Sequence, residues 1–134
     1  MFRRPFAVIA LSTALGLAAT APALAAAPTL DVTGAKLLAR GAAVQVNLKM
    51  SCDDVNESYS DASLQVTVRQ VQKKKIVEGT SYAQVNCTGT SQSRSVTVTA
   101  YNQAFTRGLT LVNATLTAYQ TFEEEKVEAE VRVM

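Results

Sequence analysis

Apolar and polar residues alternate one by one over most of the chain, and this period of two limits the fold more than any other feature. The pattern is plainest in AVQVNLKM (43–50), and it recurs in LQVTVRQ (64–70), SVTVTA (95–100) and KVEAEVRV (126–133). Successive side chains of a strand point to opposite faces of its sheet, so each segment predicts a strand with one buried face. No stretch after residue 26 sustains helical spacing, and the sequence therefore predicts an all-β domain.

Turn-forming residues divide this pattern into short strands. Seven short antiparallel strands with regular turns are typical of an immunoglobulin-like sandwich, in which we expect the second and fourth strands both to lie beside the fifth. The sixth strand loses its alternation near Leu111–Val112, which predicts a β-bulge there. The predicted strands are 29–38, 42–51, 63–71, 75–87, 94–100, 109–119 and 124–133.

The first 25 residues have the three parts of a cleavable signal peptide. Arg3-Arg4 precedes the apolar run FAVIALSTALGLAATAPALA, which closes on Ala23-Leu24-Ala25. The very short basic region favours Sec-type over twin-arginine export, and the alanine-rich run, broken by a proline, disfavours the alternative of a membrane anchor. We therefore predict cleavage near Ala25 and secretion to the extracellular space or cell envelope. The mature chain, 26–134, keeps 109 of the 134 residues, which is enough for one domain.

Cys52 and Cys87 are the two cysteines of the chain. In an exported protein an even cysteine count predicts a disulfide, and the alternative of a zinc site lacks ligands because the sequence has no histidine. Each cysteine continues the inward alternation of its strand, so we expect the bond to close one end of the core. The sequence has no tryptophan and the cysteine spacing is short, so we predict an immunoglobulin-like domain that is not of antibody type.

Four segments of the mature chain stand out together. They are RGAAVQVNLKMSC (40–52), LQVTVRQ (64–70), EGTSYAQVNCTGT (78–90) and AFTRGLTLVNATLTA (104–118). This set resembles a group of small exported actinobacterial proteins of unassigned function. The resemblance implies a secreted β-sandwich and carries over no catalytic residue. Many of those proteins have a second cysteine pair near the last hairpin, where this chain has Ala118-Tyr119-Gln120-Thr121, so a function tied to that second bridge is not implied.

Charge is balanced overall but unevenly distributed. The full chain has 13 basic and 11 acidic residues, and two of the basic ones lie in the signal peptide, so the mature chain has 11 of each. A neutral chain lacks the basic excess of a nucleic-acid-binding domain, and we predict no nucleic-acid partner. The predicted topology collects acids at one end and bases at the other, and such a molecule can associate weakly head to tail. The acids are Asp53, Asp54, Glu57, Asp61 and Glu123–Glu125, and the bases are Arg40, Lys73–Lys75 and Arg107.

The acidic segment KMSCDDVNESYSD (49–61) raises the question of a metal site. Asp54, Asn56 and Ser58 have the spacing of a calcium loop, but Tyr59 stands where an EF-hand-type loop needs glycine. We therefore predict a solvated acidic surface with no metal or cofactor, and keep a calcium site between loops as the alternative. The chain also lacks a histidine base and a G-x-S-x-G motif, and its acids lie on turns rather than in a cleft, so we predict no enzymatic activity.

With nucleic-acid binding and catalysis disfavoured, the remaining function class is binding to another kind of partner. Sugar-binding surfaces usually carry exposed aromatic side chains, and the mature chain has four tyrosines and two phenylalanines but no tryptophan. We expect most of these six to pack at the ends of the sandwich. The sequence thus predicts a non-enzymatic binding domain that contacts an extracellular protein or an envelope component and is not stably inserted in a membrane after signal cleavage. A small-ligand carrier or carbohydrate-binding module is the alternative, and a deep apolar pocket between the sheets would favour the carrier.

Overall fold

The computed structural model describes residues 28–53, 61–119 and 122–134, and residue 61 for its backbone alone. These residues form seven strands in two antiparallel sheets, one ordered β1-β2-β5 and the other β4-β3-β6-β7. The strands are β1 Thr29–Leu38, β2 Ala43–Ser51, β3 Asp61–Gln72, β4 Lys75–Asn86, β5 Gln92–Thr99, β6 Gly108–Ala118 and β7 Glu124–Val133. The predicted all-β, seven-stranded immunoglobulin-like sandwich is confirmed, and every predicted strand end lies within two residues of the observed one. Within the described residues, no helix has the length and apolar character needed to cross a membrane.

The core lies between the sheets and is built from the alternate residues that the period of two assigns to the inner faces. On β2, Val44, Val46, Leu48 and Met50 are buried, while the intervening Asn47 lies on the outer face and accepts a hydrogen bond from β5. The facing sheet contributes the inward residues of β3, β4 and β6 to the same cluster. Burying a valine or leucine side chain stabilises a fold by about 1.5–3 kcal/mol, so the alternation specifies both the strands and their register.

The predicted neighbours of β4 were wrong. This strand pairs with β3 over its whole length, from Asp61↔Asn86 to Gln72↔Lys75, and not with β5. A two-residue turn at Lys73-Lys74 joins them, and Lys73 has φ +56°, the left-handed conformation that two-residue hairpins require. The close turn therefore keeps β4 in the sheet of β3. β2 and β4 still end at the same end of the molecule, because the cysteines that follow them are bonded to each other.

The predicted bulge in β6 was also wrong. β6 pairs without a shift on both sides, and the register shift of the described strands lies in β1, between Val32 and Gly34. Thr110 takes the inward position at the start of β6, where its hydroxyl accepts a hydrogen bond from Gln70 Nε2 at 3.0 Å. This polar pair holds the alternation in phase, so the neighbouring leucines lie on the outer face.

At the end of the molecule opposite the cysteines, Phe105 closes the core. Its side chain is fully buried, and its backbone N–H donates to the Gly41 carbonyl at 2.8 Å. Gly41 has φ +97°, and a Cβ at this position would overlap the Phe105 carbonyl oxygen. Only glycine fits both the backbone conformation and the close approach.

Candidate functional site

The disulfide links the two sheets at one end of the sandwich. Cys52 follows β2, Cys87 follows β4, and their Cα atoms lie 5.0 Å apart. Both side chains are buried within the core cluster, and the Gly89 N–H donates to the Cys52 carbonyl at 2.9 Å. The predicted bond and its position at the end of the core are confirmed.

The acidic end is the end that holds this disulfide. Asp53 follows Cys52, and Glu123 and Glu124 lie at the turn between β6 and β7, which the register places beside the end of β4. Glu124 Oε1 forms an ion pair with Lys126 Nζ at 3.5 Å. Glu125 follows on β7, where it pairs with Leu116. Asp54 and Glu57 lie outside the described residues, as does the side chain of Asp61. In the described ranges no three potential metal-ligating side chains come together, and the segment on which the calcium alternative rests, 54–60, is outside them.

The opposite end is basic, and three turns meet there. Gln72 Nε2 donates to the Ala104 carbonyl at 3.0 Å, and Gln103 Nε2 donates to Gln72 Oε1 at 2.9 Å. These bonds tie the β3–β4 turn to the segment that precedes β6, and Phe105 ties that segment to Gly41. The predicted grouping of Arg40, Lys73–Lys75 and Arg107 at one end is therefore confirmed.

The sequence analysis missed Arg132, which joins this basic end. It lies on β7 directly opposite Leu109 at the start of β6. In the part of the chain that the structure describes, none of these six cations forms an ion pair, whereas Arg69 on the adjacent outer face binds Glu78 at 2.7 Å. The basic end thus carries positive charge that no described acid neutralises.

Exposed apolar side chains lie beside these cations. Val71 and Ile76 face each other across β3 and β4 on the outer face, and Val71 is 71% exposed. Leu109 lies next to Val71, because each is two residues beyond the partners Arg69 and Leu111. Tyr101 shares a surface depression with Ile76, and the Asn102 side chain donates to the Ile76 carbonyl at 3.1 Å. We call this set, Val71, Ile76, Tyr101 and Leu109, the apolar corner.

The apolar corner was also not predicted from the sequence, although the outward position of Val71 could have been. The alternation that buries Leu64, Val66 and Val68 already places Val71 on the outer face. The hairpin places Val71 opposite Ile76, but its nearness to Leu109 depends on the pairing of β3 with β6, which the sequence does not specify.

The aromatic residues are more exposed than expected. Phe105 is buried, whereas Tyr82, Tyr101, Tyr119 and Phe122 are exposed, and Tyr59 lies outside the described residues. The expectation that most of them pack at the ends of the sandwich is wrong for these four. Two of the four, Tyr82 and Tyr119, lie on the outer face of the four-stranded sheet and form hydrogen bonds there.

No family model and no curated protein matches this chain. Among solved structures, the chain is similar to the crystal structure of Spo0M, a sporulation control protein from Bacillus subtilis, with a TM-score of 0.39 and 15% sequence identity. The alignment covers 81% of this chain and 49% of that one, so the chain spans about half the length of that protein. A likeness at this level carries no argument about function, and the resemblance to small exported actinobacterial proteins stays a prediction.

Proposed function

We propose that this chain is an exported, non-catalytic binding domain whose basic end contacts an anionic partner, either an extracellular protein or a component of the cell envelope. One observation carries the proposal. The apolar corner lies among six cations that have no ion-pair partner in the described part of the chain. Clustered exposed apolar side chains mark interaction sites, and the surrounding charge indicates a partner of opposite sign.

The two kinds of side chain have different roles in such a contact. Exposed cations raise the association rate and orient the partner, but salt screens them over about 8 Å at physiological ionic strength. Apolar side chains add binding free energy that salt does not screen, at roughly 25 cal/mol per Å² of apolar surface removed from water. We therefore expect strong salt sensitivity, with residual binding at high salt that depends on Val71 and Ile76.

The core supports surface binding over a carrier function. A carrier needs space between the sheets, and there the largest side chains, Phe105, Leu48, Met50, Leu64 and Leu116, are fully buried and form one cluster. The predicted signal peptide and the disulfide support export, because disulfides persist outside the cytosol. The absence of histidine from the sequence supports a non-catalytic role.

Co-sedimentation of the purified mature chain with isolated cell envelopes tests this proposal. Lys74→Glu should weaken binding at least fivefold at low salt, since it replaces an attraction with a repulsion. Lys49→Glu is the control, because Lys49 is also exposed but lies on β2 near the disulfide, at the other end of the molecule. Val71→Ser with Ile76→Ser should remove the binding that persists at high salt.

Protease treatment of the envelopes separates the two kinds of partner. Loss of binding after treatment indicates a protein, and retained binding indicates a lipid or a wall polymer. Equal binding by the wild type, Lys74→Glu and Lys49→Glu would show that the basic end is not the contact surface.

A further inference from the structure

We propose a second binding site, for an uncharged oligosaccharide, on the outer face of the four-stranded sheet. The site is the area around Gln65, Tyr82, Gln84 and Tyr119, which we call the tyrosine platform. It lies on a different surface from the basic end and does not depend on the function proposed above.

Strand register places a block of uncharged polar side chains on this face. Three successive rows cross β4, β3 and β6, and all nine side chains point to the same outer face. No residue of the block carries a charge, although the next strand, β7, places Glu124, Lys126 and Glu128 beside its β6 edge. The rows are Thr80, Thr67 and Asn113, then Tyr82, Gln65 and Thr115, then Gln84, Ser63 and Thr117.

Two tyrosines are held in place on this block. Tyr82 is 70% exposed, and its hydroxyl accepts a hydrogen bond from Gln65 Nε2 on the neighbouring strand at 3.3 Å. Tyr119 is 44% exposed, and its hydroxyl accepts from Gln84 Nε2 at 3.5 Å. Both tyrosine hydroxyls act as acceptors in these bonds, so each keeps its own proton to donate to a ligand.

The bond between Tyr119 and Gln84 also sets the direction of the Tyr119 ring. Tyr119 follows β6, Gln84 lies on β4, and β3 runs between them. Adjacent strands are about 4.8 Å apart, so the Tyr119 and Gln84 side chains together must reach across β3 to meet. Tyr119 thus lies over the platform and is 44% exposed.

This combination suits a sugar chain. The face of an aromatic ring is electron-rich and packs against the C–H bonds on one side of a pyranose ring. Glutamine amides and tyrosine hydroxyls both donate and accept hydrogen bonds, as sugar hydroxyls do. An open face encloses a single sugar poorly, so a chain long enough to cover both tyrosines should bind better than a monosaccharide.

A binding experiment with the purified mature chain tests the proposal. Calorimetry and backbone amide NMR shifts measure the binding of three ligands: chitohexaose, cellohexaose and mannohexaose. We expect at least one of the three to bind and to shift the amides of β3, β4 and β6 around the platform. Tyr82→Ala and Tyr119→Ala should each weaken that binding at least tenfold. Tyr101→Ala is the matched control, since Tyr101 is similarly exposed but lies at the basic end, and it should leave the affinity unchanged.

Four results would overturn the proposal. The first three are the absence of binding to all three sugars, shifts confined to the basic end, and equal losses from Tyr101→Ala and Tyr82→Ala. Concentration-dependent shifts of the platform without sugar would instead show that a second copy of the chain covers it, which also overturns the proposal. Lys74→Glu should leave sugar binding intact, so failure of one proposed surface can be told from failure of the other.

Discussion

Replacing Cys52 and Cys87 by alanine removes the covalent link between the sheets at the acidic end, and its cost can be estimated from the chain. The two cysteines are 35 residues apart, and the chain-entropy model gives roughly 3–4 kcal/mol for closing such a loop in the unfolded state. Domains of this size have total stabilities of about 5–15 kcal/mol. The double variant should therefore still fold, with a melting temperature lower by roughly 10–30 °C.

Urea denaturation followed by circular dichroism separates the entropic effect from a loss of packing. Without the bond the unfolded chain expands and exposes more surface, so the dependence of the unfolding free energy on urea should become steeper while the midpoint falls. Val85→Ala is the matched control, because Val85 is a buried residue two positions before Cys87, and it should lower the midpoint without changing that dependence. An unchanged midpoint in the double variant, or a lower midpoint with an unchanged urea dependence, would refute the reasoning.

Three further predictions follow from the sequence and the fold. Intact-mass analysis of exported protein should show Ala26 at the N-terminus, and a mass that retains the first 25 residues would contradict the signal peptide. Gly41→Ala should destabilise the fold by about 1–3 kcal/mol in thermal melts, because its Cβ would lie on a left-handed backbone and against the Phe105 carbonyl. Gly34→Ala is the control and should cost far less, because the space around its Cβ is open. Sedimentation at low salt should show weak self-association that disappears at high salt. It should also disappear in the variant with Lys73, Lys74 and Lys75 replaced by glutamate. Association that is insensitive to both changes would mean that an apolar patch causes it.

The strands could be predicted because alternation is a local property. The polarity of each residue of β2 indicates whether its side chain faces the core or the solvent. A single residue that departs from the pattern does not change the assignment of the others. The sheet that β4 joins is not a local property, since the inward side chains of β4 suit either neighbour. The tight turn at Lys73-Lys74 decides it. Its lysines are not typical of two-residue hairpins, which favour asparagine and glycine, so the sequence signal was weak.

The bulge was misplaced for a related reason. Leu109 and Leu111 suggested an inward pair, but Thr110 is buried between them because Gln70 on β3 supplies a hydrogen-bond partner. A buried hydroxyl is tolerated only when such a partner is present. That partner comes from 40 residues away, which no local pattern reveals.

The same limit explains the two candidate surfaces. Cationic turns can be counted from sequence, so the basic end was predicted, but the apolar corner needs β3 beside β6. With β4 assigned to the other sheet, Tyr82 and Tyr119 would lie on opposite sides of the sandwich. The tyrosine platform therefore becomes visible only after the strand order is known.

Both surfaces lie on one sheet, and this limits how a partner can use them. Gln65 and Val71 are on the same strand and the same outer face, six positions apart, which at about 3.3 Å per residue is roughly 20 Å. An uncharged oligosaccharide that lies across the strands, from Tyr82 to Tyr119, does not reach the apolar corner. A long polymer that carries both sugars and anionic groups can contact the two surfaces at once, and its second contact then benefits from a high effective concentration. Both Tyr82→Ala and Lys74→Glu should lower the affinity for such a polymer, whereas a ligand of one surface responds to only one of the two variants. A polymer that also responds to only one variant would show that the two surfaces act separately.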